Sequence, residues 1–264
     1  MSAIPVLKKK LKSIKATAKL SAAMKTVSAA KYSKLSLLWK TYSSYAEQYQ
    51  SLLSTDNTNS DCETVLVLGS NRSFCGGFNN EILRYFKEEV RKKPQNLIVC
   101  GNEIITGFKE TGITPDYTFC FGDIPTLTDC KPLFDLLISL SQGKEDYPVK
   151  IIHSYFKNAL TQIPKTDIIL LNPTKSAGLP EDTLWIPDKE SVLKNLIDKS
   201  FHTCVFGTVL ETALGAQAAT LMTMRSAYDT ATQYSAALEN EIQRTRQSEV
   251  TADVIETRGG NLNA

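Results

Sequence analysis

Leu221-Met-Thr-Met-Arg-Ser-Ala-Tyr-Asp-Thr-Ala-Thr-Gln-Tyr-Ser-Ala-Ala-Leu-Glu-Asn-Glu-Ile-Gln-Arg-Thr245 decides the fold. Within it Leu221, Met224, Tyr228, Ala231, Ser235, Leu238, Ile242 and Thr245 recur at alternating steps of three and four residues. That spacing holds one stripe on one side of a helix and is the seam of a coiled coil. The stretch contains neither glycine nor proline, so no breaker interrupts it. Reading outward, the helical pattern runs from about 190 to 257, with Gly259-Gly260 as a C-terminal stop. Gly207 and Gly215 lie inside it. Each costs about 1 kcal/mol against alanine and marks a bend or a close contact.

A seam needs a partner, and the other end of the chain offers one. Residues 6 to 53 also read as one long helix. Val6, Leu7, Leu11, Ile14 and Ala18 open an apolar stripe, and Leu35, Leu38, Tyr42, Tyr45, Tyr49 and Leu52 continue one at steps of three and four. Between them, residues 16 to 30 are alanine, serine, threonine and lysine around Leu20, Met24 and Val27. Small residues let another helix approach closely. At 1.5 Å per residue each flank extends roughly 70 Å or more. The expected arrangement is an antiparallel, left-handed coiled coil of the two flanks. Ser54 to Asp61 is a polar stop and linker.

The middle of the chain has a different punctuation. Nine of the ten prolines and nine of the thirteen glycines lie between residues 54 and 188. Short apolar runs at 65–68, 97–100, 149–152 and 168–171 read as buried strands, with 117–121 as a fifth. Amphipathic helices are predicted over 80–92 and 132–140. This is the pattern of a mostly parallel sheet with helices on its faces. The fold class is therefore α/β: a Rossmann-like α/β domain inserted in a long antiparallel coiled coil of terminal helices. The boundaries read as 1–58, 59–188 and 189–264.

Composition narrows the function classes. The 264 residues are 42% hydrophobic and 22% charged, which suits a soluble globular protein with a real core. No unbroken apolar run reaches the roughly 18 residues of a membrane span, and no secretory signal opens the chain. Six scattered cysteines without a Cys-x-x-Cys pair fit reduced thiols. Two distant histidines, His153 and His202, give no zinc pattern, so no metal is expected. The net charge of +2 hides an asymmetry: residues 1 to 46 hold ten lysines and no acid, leaving −8 on the rest. Such a block seeks an anionic partner. The plainer alternative is a solvated helix face, although a surface helix normally mixes signs to gain pairs one turn apart.

Catalytic motifs are missing from the sequence. Gly-x-Gly-x-x-Gly and the phosphate loop do not occur; 101–109 has the wrong spacing. No cofactor is expected. Ser70 to Asn79 sits where a strand hands over to a helix, and its amides would suit an anion. The favoured reading is a structural turn at Cys75, Gly76 and Gly77. His153, inside an apolar strand, reads as a core histidine.

The ends carry more specific information. Thr17-Ala-Lys-Leu-Ser-Ala-Ala-Met-Lys-Thr-Val-Ser-Ala-Ala-Lys31 resembles the first helix of the gamma-subunit family of F-type ATP synthases, with Thr17, Lys19, Ala23, Met24, Val27, Ala29 and Lys31 matching. Arg244-Thr-Arg-Gln-Ser-Glu-Val-Thr-Ala-Asp-Val-Ile-Glu256 is similar to the family's last helix. Ser70 to Asn79, and the run from Lys150 through His153, Tyr155 and Phe156 to Asn158 and Pro164, look like its central motifs. Leu214 to Leu221 departs: Gly215, Ala216 and Thr220 replace the family's Ser, Glu and Arg. Asn71 and Ser73 replace Asp and Gly.

The resemblance implies a rotor shaft inside a hexamer of three alpha and three beta subunits. The α/β domain would meet epsilon (delta in mitochondria) and the ring of c subunits, with no nucleic acid partner. Lys9, Lys12, Lys19, Met24 and Lys25 would meet the acidic loop of each beta subunit. Arg244, Arg246, Gln247, Thr251 and Asp253 would lie at the upper bearing and its catch loops. The chain would be non-catalytic, peripheral to the membrane and, with no transit extension, bacterial on the cytoplasmic face; a processed mitochondrial chain would look the same. Rival readings are a nucleic-acid binder with a basic arm, an enzyme acting on a small anion near Arg72, and a generic coiled-coil scaffold. Against the first, the basic segment lacks arginine, the residue suited to bidentate phosphate contact.

Overall fold

A computed structural model describes residues 4–50, 62–90, 93–144, 147–171 and 188–260. The linker read at 54–61 and Leu52 of the first seam lie outside these residues. The elements are α1 (Ile4–Gln50), β1 (Thr64–Leu68), α2 (Phe78–Glu89), β2 (Asn96–Cys100), α3 (Asn102–Glu110), β3 (Tyr117–Phe119), α4 (Lys131–Ser141), β4 (Tyr147–Phe156), β5 (Gln162–Leu171) and α5 (Lys189–Gly260). The chain divides into two compact units: Met1–Val27 with Met222–Ala264, and Ser28–Leu221. Both cuts fall inside the terminal helices. The boundaries read from punctuation follow helix ends instead.

In the first unit, α1 and α5 pack antiparallel. Lys15 pairs with Glu239, and Lys25 lies over the Tyr228 ring at 4.6 Å, so residue number rises along one helix as it falls along the other. On α5, Met224, Ala231 and Leu238 are buried, and Tyr228, Ser235, Ile242 and Thr245 half-buried, along the stripe read from sequence. On α1 the packed positions are Ile4, Leu7, Leu11, Ile14, Ala18, Ser21 and Lys25. Leu7, Leu11, Ile14 and Ala18 follow the stripe read from sequence, but Val6 does not: it is 60% exposed. Leu20 and Val27 face solvent at 60% and 52% exposure, whereas Ser21 is 5% exposed. Large apolar residues, Ile4, Leu7, Leu11 and Ile14, make the packed side of α1 at first, and the small Ala18 and Ser21 continue it.

The second unit is built on a five-stranded sheet of order β3-β2-β1-β4-β5. β3, β2, β1 and β4 run parallel, and β5 closes the edge antiparallel to β4. Alternate residues feed two cores. Val65, Val67, Leu97 and Val99 meet Phe78, Ile82, Phe86, Ile104 and Phe108 of α2 and α3. Leu66, Leu68, Ile98, Val149 and Ile151 meet α4, Leu35 of α1, and Phe201, Val205, Val209 and Leu214 of α5. The terminal helices thus form part of one layer of the domain. From Ser200 to Thr220 no α5 residue is exposed. α5 also contains a window apolar enough on average to cross a membrane, but 78% of that window is buried in the protein. It is the core helix of this layer. Its buried threonines satisfy themselves: Thr212 Oγ1 donates to Thr208 O at 2.7 Å and Thr220 Oγ1 to Ala216 O at 2.8 Å.

Two elements were not foreseen. α3 was hidden by Gly107, which sits against α2: a Cβ there would lie 2.6 Å from Leu83 Cδ1. The β4–β5 hairpin was read only as two short strands. Its loop has no glycine; Asn158 closes it by accepting the Leu160 and Thr161 amides at 2.9 and 2.8 Å.

Candidate functional site

In the first unit, Lys9, Lys12 and Lys19 are exposed, and Met24 and Lys25 half-buried. Helical spacing puts Lys8, Lys12, Lys15 and Lys19 along one flank of α1. Lys25 does not share that flank. It occupies a seam position, and its ammonium covers the Tyr228 ring. Near the other end of α5, Arg244, Arg246, Gln247, Thr251 and Asp253 are all exposed. Gln243, Arg246, Gln247, Val250 and Thr251 line one shallow groove. Thr251 Oγ1 donates to Gln247 O at 2.8 Å, which fixes its rotamer. Beyond it Val254 and Ile255 are 52% and 66% exposed, an apolar tip that solvent alone does not favour.

In the second unit, the Ser70–Asn79 turn is knit by its own polar groups. Ser70 N donates to Asn79 Oδ1 at 3.0 Å, and Asn79 Nδ2 donates to Ser70 Oγ at 2.8 Å. The buried Cys75 thiol lies 3.3 Å from Ser70 Oγ and 3.4 Å from Asn79 Nδ2. Gly76 has φ +61 and Phe74 φ +70, so the turn needs left-handed backbone at two positions. Gly77 caps α2 in a helical conformation, and a Cβ there would meet only Glu81 Oε1, at 3.7 Å. Asn71 donates its amide to Phe121 O and accepts from Asn102 N at 3.3 Å. An aspartate could not make the first of these bonds.

The turn stands at the carboxyl ends of β1 and β2, where open α/β sheets hold their ligands. α5 packs across that opening. Val209, Thr212, Ala216, Gln217 and Thr220 wall it against Ser70, Arg72, Gly101 and Asp123. The remaining cavity is about 40 Å³, far below the several hundred Å³ of ordinary small-molecule sites. Asp123 anchors its rim, paired with Lys31 of α1 and, at 2.8 Å, with Arg72 Nη2. No local sequence signal marks Asp123, because its partners come from distant segments. Among the described residues no group of three or more His, Cys, Asp or Glu side chains is placed to hold a metal ion.

A second buried polar group joins β4, β5 and α5. His153 is 1% exposed, with Nε2 at 2.9 Å from Asp167 Oδ2 and Nδ1 at 3.5 Å from Glu211 Oε2. Burial would raise the Asp167 carboxyl, but hydrogen bonds from His153 and Lys165 outweigh it and hold the group below its ordinary value. Glu211 goes the other way: burial pushes it up, more than the Phe156 amide and His153 pull it down.

Known proteins match the chain along its whole length. The sequence model of the family described as ATP synthase covers residues 4–261. The ATP synthase gamma chain of Pelagibacter ubique is 27% identical, over 98% of this chain and 99% of its own. That of Lactococcus lactis subsp. lactis is 24% identical, over 96% of each. Among solved structures, a chain of the Euglena gracilis mitochondrial ATP synthase OSCP/F1/c-ring assembly superposes with a TM-score of 0.77 at 18% identity, covering 98% of this chain and 93% of that one. A chain of the rotor structure from the same organism gives 0.72 at 18% identity, covering 94% and 98%. A match that spans both terminal helices and the sheet between them leaves one conclusion: the chain belongs to the ATP synthase family, alongside its gamma chains.

Proposed function

We propose that this chain is the central rotor shaft of an F-type ATP synthase, one copy per three alpha and three beta subunits. It turns with a ring of c subunits and drives the beta subunits through their nucleotide affinities. Epsilon (or delta) and the c ring meet the 59–188 region, while 1–58 and 189–264 supply the shaft helices. The complex operates at the cytoplasmic face of a bacterial plasma membrane. The chain itself holds no catalytic residue, a reading supported by α5 filling the crevice that a nucleotide would use.

The observation that carries the proposal is the lysine flank of α1, exposed and without a single acid in residues 1 to 46. A surface so charged is matched by an acidic partner, which the beta-subunit loops supply to Lys9, Lys12 and Lys19. Met24 and Lys25 line the adjoining edge. Arg244, Arg246, Gln247, Thr251 and Asp253 meet the upper bearing, where the groove beside Arg246 receives a catch loop. Cys75, Gly76 and Gly77 serve the turn alone. The test is native mass spectrometry after co-expression with alpha and beta subunits from the same source. One copy of this chain per three alpha and three beta subunits is expected. A hexamer that forms and never takes up the chain overturns the shaft role.

A further inference from the structure

The His153 cluster has no part in the shaft proposal and stands apart from it. His153 belongs to β4, Asp167 to the antiparallel β5, and Glu211 to α5. Lys165, opposite His153 on β5, pairs with Asp167 at 2.7 Å and lies over the Tyr155 ring. Cys204 is the other titratable group that α5 brings to this side, a thiol whose own value is raised mainly by burial and secondarily by Asp167. Glu211 Oε1 accepts the Phe156 amide at 3.0 Å, tying α5 to the last residue of β4.

The difficulty is at Nδ1. A neutral imidazole has one N–H, and the 2.9 Å contact to Asp167 takes it at Nε2. Nδ1 is then a bare lone pair, wholly buried, without a hydrogen bond, 3.5 Å from a carboxylate oxygen. Two acceptors facing each other in a dry interior are costly. One proton in the gap, on Nδ1 or on Glu211 Oε2, turns the contact into a donor–acceptor pair.

We propose that the Asp167–His153–Glu211 cluster is a proton-operated latch, in which one proton held between His153 Nδ1 and Glu211 Oε2 fixes α5 to the β4–β5 hairpin. Loss of that proton leaves two carboxylates around a neutral ring and loosens the junction. With its carboxyl raised by burial, Glu211 keeps a proton in the folded cluster at pH values where the unfolded chain has already lost it. The cluster's stabilisation is therefore present on the acid side and is lost as pH rises, the direction in which burial moves the Glu211 carboxyl.

Hydrogen exchange on the full-length chain tests this, with peptides covering 150–158 and 206–214 followed at pH 6 and pH 8.5 and corrected for intrinsic rates. Protection of both peptides should fall about tenfold or more at the higher pH, a tenfold change being one protonation unit. Glu211→Gln keeps the acceptor for Phe156 and offers Nδ1 a donor, so its protection should not change between the two pH values. Equal protection in the wild type at both pH values overturns the latch, as does an unchanged pH response in Glu211→Gln. If that variant does not fold, ¹⁵N shifts of His153 in the wild type at pH 6 decide. A hydrogen-bonded Nδ1 supports the latch, and a bare Nδ1 overturns it.

Discussion

At Gly101 one missing methyl group decides whether β2 can hand over to α3. Its φ is +118, and a Cβ there would lie 2.7 Å from Ser70 O and 2.8 Å from Gly69 O. Both are backbone atoms at the end of β1 and cannot swing away. Gly101→Ala should therefore cost about 2–4 kcal/mol, the range for a strained backbone plus a clash. Urea unfolding reads it, and a loss under about 0.5 kcal/mol would contradict the geometry. The thiols give a second residue-scale test. Burial pushes Cys130 up to about 12 and Cys204 up to about 11, and Cys100 well above the ordinary thiol value. Cys120 is exposed, its S–H donating to Asn102 Oδ1 at 2.8 Å. Since the thiolate is the reactive form, a maleimide at pH 7.5 should label Cys120 in minutes and leave Cys100, Cys130 and Cys204 unlabelled until the chain unfolds. Mass spectrometry of the digest reads the order, and early labelling of Cys130 would refute it.

At the scale of the element, α1 and α5 differ in how openly they declare their seams. Leu238 is 3% exposed and Leu20 60%. Leu238→Ala should cost about 2–4 kcal/mol, as deletion of a buried leucine does. Leu20→Gln should stay within about 0.5 kcal/mol, as for most surface changes. Thermal melts of the two variants check the register, and a larger loss from Leu20→Gln would move the seam back to the apolar positions. The α5 stripe was legible because large residues, Met224, Tyr228, Leu238 and Ile242, mark it. On α1 the stripe read from sequence holds at Leu7, Leu11, Ile14, Ala18, Leu35 and Tyr42 and fails at Val6, Leu20, Val27, Leu38 and Tyr45, which are exposed, while Ser21 and Ser28 are buried. Where small residues make the contact, as at Ser21, hydrophobic period does not fix which side faces the partner. β3 is short and largely exposed, whereas β1 and β2 announced themselves as apolar runs buried on both faces, and β4 through Val149, Ile151 and Ile152 around a half-buried Lys150. β5 did not: Pro164, Lys165 and Asp167 are polar or breaking, which suits an edge strand and hides its first half. The lysine flank and the groove residues of α5 were legible as types and spacings. Asp123, Asp167 and Glu211 were not, because each acquires its meaning from a side chain far away in sequence.

At the scale of the whole molecule, the chain must bring its ends together before its longest elements have partners. Lys15 meets Glu239 across more than two hundred residues. Contacts so distant in sequence slow folding. The cores of the central sheet also take in both terminal helices, so closing that domain itself joins residues far apart in sequence. Charge is divided as well, with ten lysines in the first 46 residues and −8 on the remainder, so each part suits a different partner. The shaft proposal makes its sharpest prediction at the far end of α5, where Arg246 and Gln247 are exposed and border one groove. Alanine is a better helix former than either, so Arg246→Ala with Gln247→Ala should leave the folded chain and its assembly intact. A loss of activity then reports a lost contact and not a lost fold. The double variant should lower ATPase turnover of the assembled complex several-fold, with proton pumping falling in parallel and nucleotide binding by the beta subunits preserved. Asn240→Ala, exposed on the same helix and outside the groove, serves as the control and should leave turnover unchanged. Unaltered turnover and pumping in the double variant would remove Arg246 and Gln247 from the bearing, whereas an equal loss in the control would assign the effect to the helix itself and not to the groove.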